Sequence, residues 1–285
     1  MRNYVLYNPM AGHGDCDEKL GKLKSCLEGE IVEFDLTKLE GADELFKSLS
    51  SDDRIIISGG DGTINKFVNS VDTDSICCDI YYYGSGSGND FLHDLGKNVG
   101  DEPVKVNEYL KNLPTVEVDG NTYRFVNGVG YGIDGYCCEV GDKMKATSNK
   151  PVNYTSIAIK GLLFHFKPRN ATVTVDGEKY SYKKVWIAPT MNGRFYGGGM
   201  MPAPEQNRLN NDELSLMVFH GTSKIKTLMI FPSLFKGEHV KHTDAVAIHK
   251  GREITVEFDS PTPLQVDGET ILGVKSYTAR AKSVK

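Results

Sequence analysis

The first third of the chain alternates short β-branched or aromatic runs with stretches in which apolar residues recur at helical spacing. Strands are expected near Tyr4, Ile31, Ile55 and Ile80, and helices near Glu18, Asp43, Ile64 and Val104. A strand–helix–strand–helix order of this kind favours a parallel sheet. We therefore predict an α/β domain over residues 1–114.

Beyond Pro114 the pattern changes to strands joined by turns. Residues 116–123 and 172–180 are typical of hairpins with Asp-Gly turns. Further strands are expected at Val185–Ala188, Leu214–Phe219, Glu253–Phe258 and Tyr277–Ala281, with one helix at about Asn153–Phe164. Antiparallel strands of this length predict an all-β sandwich domain over residues 115–285.

Three glycine-rich loops follow three of the first four strands. They are Asn8–Gly14, Ser58–Thr63 and Gly84–Phe91. Because the carboxyl ends of parallel strands meet at one edge of a sheet, we expect the loops to form one crevice. Backbone N–H groups and a helix amino end can bind phosphate there. The spacing is not Gly-x-Gly-x-x-Gly, which disfavours a redox dinucleotide fold.

Asp61 is unusual inside a phosphate-binding loop, because a carboxylate repels phosphate unless a cation lies between them. The loop also lacks the lysine of a Walker A loop. Mg²⁺ is therefore the expected counter-charge, with Asp61 as a ligand. The alternative is a glycine-rich turn in which Asp61 caps the following helix.

Composition narrows the possible partners and compartment. The 285 residues are 39% hydrophobic and carry a formal net charge of −5, which argues against a nucleic-acid partner. The six cysteines show no Cys-x-x-Cys spacing, as expected of reduced thiols in a cytosolic protein. No apolar stretch is long enough to cross a bilayer. We expect a soluble, cytoplasmic protein.

The motifs together resemble the diacylglycerol kinase catalytic-domain family, which includes bacterial lipid kinases and sphingosine kinases and is distantly related to NAD kinases. The resemblance covers most of the chain in the family's order. Its motifs are Asn8–Gly12, the unchanged Gly-Gly-Asp-Gly-Thr at Gly59–Thr63, Gly86–Phe91 with Ser87 in place of threonine, Tyr196–Met200 and Gln265–Glu269.

The resemblance implies transfer of the γ-phosphoryl group of ATP to a lipid hydroxyl, most directly diacylglycerol to phosphatidic acid, a step of phospholipid biosynthesis. It implies a nucleotide-binding domain at 1–114 and a lipid-binding domain at 115–285, with the active site between them. ATP and Mg²⁺ are the implied cofactors. A transient visit to the inner face of the membrane and a possible homodimer are also expected.

The site residues fall into four groups. Asp61 and Glu269 are the expected catalytic residues, Glu269 as general base with Asp267 as its polar neighbour. The nucleotide is expected to contact Asn8, Gly12, Ser58, Gly59, Gly60, Gly62, Thr63, Gly86, Ser87 and Asn89. The acceptor lipid is expected near Asp90 and Asp134, and metal near Asp61 and Asp212.

Several alternatives stay open at this point. Glu178 follows a second Asp-Gly pair, so the local letters alone do not select Glu269. Asn210 and Asn211 stand where the family usually carries two metal-binding acids, which shifts that site towards Asp212 or removes it. The acceptor could be a sphingoid base, the enzyme a soluble NAD kinase-like protein, or the chain a catalytically weak nucleotide-binding protein.

A membrane-contacting segment is expected at Ser223–His242. Lysines flank a run of apolar residues there, and Pro232 favours two short helical pieces over one. The alternative is that these apolar residues belong to the core.

Overall fold

The computed structural model describes residues 1–9, 16–36, 43–86, 88–147, 152–209 and 212–282. The site residues Gly12 and Ser87, and the pair Asn210 and Asn211, lie outside these ranges. The chain forms two compact units, Met1–Leu113 and Pro114–Lys285. They are called the first and second units below.

The first unit is an α/β unit. Its strands are β1 (Arg2–Tyr7), β2 (Glu30–Asp35), β3 (Arg54–Gly59), β4 (Asp79–Gly84) and β5 (Val104–Lys105). Its helices are α1 (Cys16–Ser25), α2 (Asp43–Lys47), α3 (Asp61–Ser70), α4 (Asp90–Asp94) and α5 (Asn107–Leu110). The sheet has the order β2-β1-β3-β4-β5, and its first four strands are parallel. This confirms the predicted fold class.

The sequence of β3 is a continuous apolar run because this strand lies in the core of the first unit. Ile55, Ile56 and Ile57 are all buried, as expected for a central parallel strand covered on both faces. Phe67 of α3 is also fully buried and makes an edge-on contact with Phe46 of α2.

The prediction of a helix near Val104 was wrong. Val104 and Lys105 form β5, which pairs antiparallel with β4. Val106 then donates its N–H to the Ile80 carbonyl and is fully buried. β-Branched residues favour such extended backbone. The helix that follows is the single turn α5.

The second unit is built on antiparallel pairs, as the sequence predicted. Its strands are β6 (Thr115–Val118), β7 (Asn121–Arg124), β8 (Gly128–Tyr131), β9 (Arg169–Val175), β10 (Glu178–Val185), β11 (Thr190–Met191), β12 (Leu214–Phe219), β13 (Val246–Gly251), β14 (Glu253–Val266) and β15 (Glu269–Arg280). The sheet runs β13-β12-β11-β8-β14-β15-β6-β7, and β9 pairs with β10 and β14. All described pairings in it are antiparallel.

Both predicted hairpins form with the expected turn chemistry. Asp119 and Asp176 adopt positive φ angles of 48°, and each is followed by a glycine at positive φ, as type I′ turns require. The strand predicted at Val185–Ala188 was wrong beyond its first residue. β10 ends at Val185, and Ile187 makes only isolated bridges to Gly132 and Phe219.

The described part of the second unit contains three α-helices. They are α6 (Ile133–Thr147), α7 (Tyr154–Lys160) and α8 (Lys224–Ile230). The sequence predicted α7, which continues as a π-helical turn over Gly161–His165. It did not predict α6, so the expectation of an otherwise all-β domain missed this helix.

The predicted membrane segment is divided between core and surface. After α8 it continues as two 3₁₀ turns, Phe231–Lys236 and Glu238–Lys241. Ile230, Phe231 and Leu234 are buried, whereas Ile225 and Met229 are 73% and 76% exposed. In the part of the chain that the structure describes, every helix is too short or too polar to traverse a bilayer.

Candidate active site

The glycine-rich loops that follow β3 and β4 touch each other through their backbones. Ser85 donates its N–H to the Gly59 carbonyl over 2.9 Å, and Asp61 donates to the Gly88 carbonyl over 3.0 Å. A Cβ on Gly60 would lie 2.5 Å from the Gly88 oxygen, and one on Gly86 would lie 2.5 Å from the Gly60 nitrogen. These positions therefore admit only glycine.

Asp61 connects the two loops through its side chain. Its Oδ2 accepts the Asp90 N–H over 2.8 Å, and its Oδ1 accepts the Phe91 N–H over 3.0 Å. Asp61 is the first residue of α3, but its side chain caps α4, the helix that follows the next glycine-rich loop. A carboxylate oxygen is also the kind of ligand that Mg²⁺ prefers.

Other predicted nucleotide residues surround this contact. Ser58 is buried, with its Oγ 3.2 Å from the Ser85 Oγ. Thr63 is buried and packs closely against Gly59. A Cβ added to Gly59 would lie 2.1 Å from the Thr63 Oγ1. The N-cap of α3 is Gly60, which has no side chain to cap the helix. The Asp61 N–H donates to Gly88, and the Thr63 and Ile64 N–H groups donate to Gly60, so among the described residues of this turn Gly62 supplies the backbone donor for an anionic ligand.

Asn89 and Asn8 complete the predicted set that the structure describes. The Asn89 Nδ2 donates to the Gly86 carbonyl over 2.7 Å. Its Oδ1 is buried and makes no hydrogen bond to a described residue. Asn8 directly follows β1 and is half-buried.

Lys19 is a residue of this region that sequence analysis missed. It lies on α1 and is half-buried, and its Nζ donates to the Ser85 carbonyl over 2.8 Å. Lys19 thereby brings a positive charge to loops that carry no lysine of their own. Its place in a charged helix gave no signal, because Lys22 and Lys24 share the same pattern.

In the second unit, Asp267 organises a buried polar centre. Asp267 and Gly268 form the β14–β15 turn, with φ angles of 47° and 96°. The Asp267 carboxylate accepts the N–H groups of Val126, Asn127 and Gly128 over 2.5, 2.8 and 2.9 Å. Glu269 follows at the start of β15 with an exposed side chain.

Two side chains donate hydrogen bonds to acceptors of the segment Val126–Gly128. Arg208 is buried and donates to the Val126 carbonyl over 3.0 Å and to the Asn127 Oδ1 over 3.1 Å. Asn192 donates to the Val126 carbonyl over 2.8 Å. Sequence analysis did not single out Arg208 or Asn192.

Asp134 lies in the first turn of α6, buried beside Tyr196. The Tyr196 hydroxyl donates to its Oδ2 over 3.1 Å, while Oδ1 makes no hydrogen bond to a described residue. Burial raises the pKa of this carboxyl to about 6. Tyr196 belongs to the Tyr196–Met200 motif, so that motif was the available signal for it. Asp90 is also buried, at the start of α4.

Asp212, the other residue that was predicted as a metal ligand, forms an ion pair with Arg252. The Arg252 guanidinium lies 3.1 Å from the Asp212 Oδ2, and both side chains are exposed. Among the described residues no three His, Cys, Asp or Glu side chains cluster closely enough to hold a metal ion. The metal role of Asp212 stays a prediction.

Glycine loops lie at one edge of the sheet in the first unit, and the second unit is antiparallel. This combination is typical of a protein that binds phosphorylated ligands. Residues 2–120 match the family model described as the diacylglycerol kinase catalytic domain. Residues 127–281 match the YegS C-terminal NAD kinase beta sandwich-like domain. The chain therefore belongs to the family of proteins that combine these two domains, and it is an enzyme of the lipid kinase class.

Relatives agree with the family match. The chain is similar to a Bacillus subtilis (strain 168) protein named "Putative lipid kinase YtlR", with 26% identity over 96% of this chain and 94% of that protein. It is 24% identical to a diacylglycerol kinase of Mycobacterium tuberculosis (strain H37Rv) over 89% of this chain and 84% of the relative.

The fold also resembles that of a diacylglycerol kinase crystal structure from Bacillus anthracis (strain Sterne). The TM-score is 0.62 at 18% identity, covering 99% of this chain and 94% of the other.

Replacing Gly60 with alanine should separate the two glycine loops. The added Cβ meets the Gly88 backbone oxygen at 2.5 Å, and overpacking against backbone costs about 1–3 kcal/mol. We expect Gly60→Ala to lower the free energy of unfolding by that amount, measured in urea. The matched control is Gly21→Ala in α1, where a Cβ meets nothing within 4 Å; it should be neutral or gain up to about 1 kcal/mol. Equal effects would contradict the loop contact.

Asp134 should make stability depend on pH. In the folded chain its pKa is raised to about 6 from 3.8, so between these values the folded state binds a proton that the unfolded state has lost. The cost of ionising the buried carboxyl is therefore absent below about pH 4 and full above about pH 6. Asp134→Asn should exceed wild type in unfolding free energy by about 1–3 kcal/mol at pH 8 and match it at pH 4.

The control for Asp134→Asn is Asp52→Asn, which alters an exposed carboxyl. It should leave the unfolding free energy nearly unchanged at both pH values. A stability gain for Asp134→Asn that is the same at pH 4 and pH 8 would contradict an ionised, buried Asp134.

Proposed function

We propose that this enzyme transfers the γ-phosphoryl group of ATP to the hydroxyl of diacylglycerol, forming phosphatidic acid. The observation that carries the proposal is the backbone contact of the two glycine loops, with Asp61 and Lys19 beside it. Such an arrangement offers N–H donors and a cation to phosphate oxygens, and phosphoryl transfer depends mainly on positioning and charge stabilisation.

The donor side of the reaction is assigned to the first unit. The backbone N–H of Gly62 at the amino end of α3, together with Lys19, holds phosphate oxygens of ATP. Ser58, Thr63 and Asn89 support the loops around them. We assign Asp61 to Mg²⁺, because its carboxylate lies at the contact of the two loops and would supply an anionic oxygen ligand. Bound Mg²⁺ supplies charge neutralisation at the phosphates.

The acceptor side is assigned to the second unit and to Asp90. Glu269 takes the proton of the lipid hydroxyl while the hydroxyl oxygen bonds to the γ-phosphorus and ADP leaves. Its support is the turn at Asp267, whose carboxylate is fixed by three backbone N–H groups. The buried Asp134 Oδ1, which makes no hydrogen bond to a described residue, is an acceptor for a second lipid hydroxyl.

The acceptor is a membrane lipid, so the enzyme has to meet it at a bilayer. We propose reversible, peripheral contact with the cytoplasmic face of the membrane. The exposed Ile225 and Met229 on α8 support such contact. The expectation of a homodimer stays a prediction.

The reaction is tested by incubating the protein with labelled ATP, Mg²⁺ and a panel of diacylglycerol, sphingosine and NAD. We expect label in phosphatidic acid. Asp61→Asn should lower this transfer by at least about a hundredfold, because an amide replaces the anionic metal ligand. A thermal melt of the variant checks that it folds. Label only in NAD or sphingosine phosphate would replace the proposed acceptor, and nucleotide binding without any label would indicate a catalytically weak protein.

The two Asp-Gly-Glu turns provide a matched test of the base. Glu269 and Glu178 each follow an Asp-Gly turn with positive φ angles, and both are exposed. Glu269→Gln should lower kcat by at least about a hundredfold because the amide cannot accept the proton, while Glu178→Gln should leave kcat unchanged. Both are measured in steady-state assays with diacylglycerol. A loss confined to Glu178→Gln would move the base to the first hairpin.

A further inference from the structure

Helix α6 carries a polar stripe along one side, formed by Asp134, Cys138, Asp142 and Lys145. These residues follow one another at spacings of four, four and three positions, which places them on one face of a helix. Asp134 is buried and Cys138 is half-buried, whereas the side chains of Asp142 and Lys145 are 49% and 59% exposed. The stripe therefore runs from Asp134, the proposed acceptor for a lipid hydroxyl, to the surface.

The polar stripe contacts the β14–β15 hairpin through Asp142. The Thr270 hydroxyl donates to the Asp142 Oδ2 over 2.7 Å, a length typical of a hydrogen bond to a carboxylate. Thr270 is half-buried and directly follows Glu269, the proposed base. Near the start of α6, a Cβ on Gly135 would lie 1.9 Å from the Pro263 oxygen of β14. The helix thus contacts the hairpin at two points that lie about 10 Å apart along its axis.

The charges of the polar stripe and of Glu269 act on the same thiol. Burial raises the pKa of Cys138 to about 12, and the negative charges of Asp134, Asp142 and Glu269 add to this shift, while Lys145 opposes it. Glu269 hence lies within electrostatic range of the helix face that carries Asp134. The two carboxylates that are assigned to the acceptor lipid therefore lie along one face of α6.

A cation orients the Asp142 carboxylate from its other oxygen. The Lys145 Nζ lies 3.6 Å from the Asp142 Oδ1, so each carboxylate oxygen has its own partner. The same ammonium group lies 5.7 Å from the centroid of the Tyr154 ring of α7, within the range of a cation–π contact. Tyr154 packs so closely on α6 that a Cβ on Gly141 would lie 2.6 Å from its ring. The direction of the Asp142 side chain is therefore defined from both sides.

We propose that Asp142 is a positioning residue for the phosphoryl transfer. Its bond to Thr270 anchors the first residues of β15 to α6, and this holds the Glu269 carboxylate at a fixed place relative to Asp134. A general base has to lie within hydrogen-bond reach of the hydroxyl that it deprotonates, so a small displacement of Glu269 slows the reaction. The inference rests on the proposed function in that Glu269 is the base.

The kinetic test removes either partner of the bond. Thr270→Val keeps the β-branched shape but deletes the hydroxyl, and Asp142→Ala deletes the acceptor. Each should lower kcat about three- to tenfold and leave the KM for ATP unchanged, because the nucleotide loops are untouched. The double variant should be no slower than the slower single variant, since both changes remove the same bond. Thr270→Ser, which keeps the hydroxyl, should retain the wild-type kcat.

The matched control is Thr278→Val on the same strand. Thr278 is half-buried like Thr270, and its hydroxyl lies 2.9 Å from the Thr255 hydroxyl, away from Glu269. This variant should keep the wild-type kcat. Losses in Asp142→Ala and Thr270→Val that add up in the double variant would overturn the positioning role. Equal losses in Thr270→Val and Thr278→Val, or a wild-type kcat in Thr270→Val, would overturn it as well.

Hydrogen exchange supplies a readout that does not depend on catalysis. The backbone amides of residues 268–272 are followed by mass spectrometry in the absence of ATP and lipid. Exchange there should be at least about threefold faster in Thr270→Val and Asp142→Ala and unchanged in Thr270→Ser. Unchanged exchange in the first two variants would overturn the anchor. If wild type labels none of the offered acceptors while exchange behaves as expected, the proposed reaction is rejected and the anchor of β15 on α6 stands.

Discussion

The candidate site of the first unit depends on two loops that approach until their backbones touch. Gly60 and Gly86 lie where any Cβ would come within 2.5 Å of the facing backbone. This contact also orients the chemistry, because it brings the Asp61 carboxylate to the first N–H groups of α4. A carboxylate at a helix amino end is electrostatically favourable. One steric condition thus brings together the backbone that is proposed to bind phosphate and an anionic side chain.

A set of buried hydrogen bonds around Asp267 stabilises the second unit. The segment Val126–Gly128 enters β8 with its N–H groups bonded to the Asp267 carboxylate and its Val126 carbonyl bonded to Arg208 and Asn192. Buried peptide groups need such partners when no neighbouring strand supplies them. Since β8 leads directly into α6, the same bonds help to position the first turn of α6, which carries Asp134. The Asp267 turn therefore supports the candidate site through the backbone, and it also precedes Glu269, the proposed base.

Local patterns predicted many of the strands, the glycine loops and the two hairpin turns, because their signals lie within a few residues. Leu214–Phe219, for example, forms a strand with the predicted bounds. These patterns did not predict the strands β5, β8, β11 and β13. Helix α6 was missed because Gly135 and Gly141 lower its helix propensity. Their reason is tertiary: a Cβ on Gly135 would lie 1.9 Å from the Pro263 oxygen, and one on Gly141 would lie 2.6 Å from the Tyr154 ring. Lys19 and Arg208 were missed for the same reason, since their partners are distant in sequence.

The two Asp-Gly-Glu turns show where local sequence stops being informative. Asp176 and Asp267 share the left-handed backbone, and each accepts backbone N–H groups from another segment. Asp176 binds the exposed connection at Arg252 and Glu253, so its turn only joins two hairpins at the surface. Asp267 is 8% exposed and binds the segment that leads into α6. The letters specify the turn, but only the partner segment distinguishes a surface connection from an element of the candidate site.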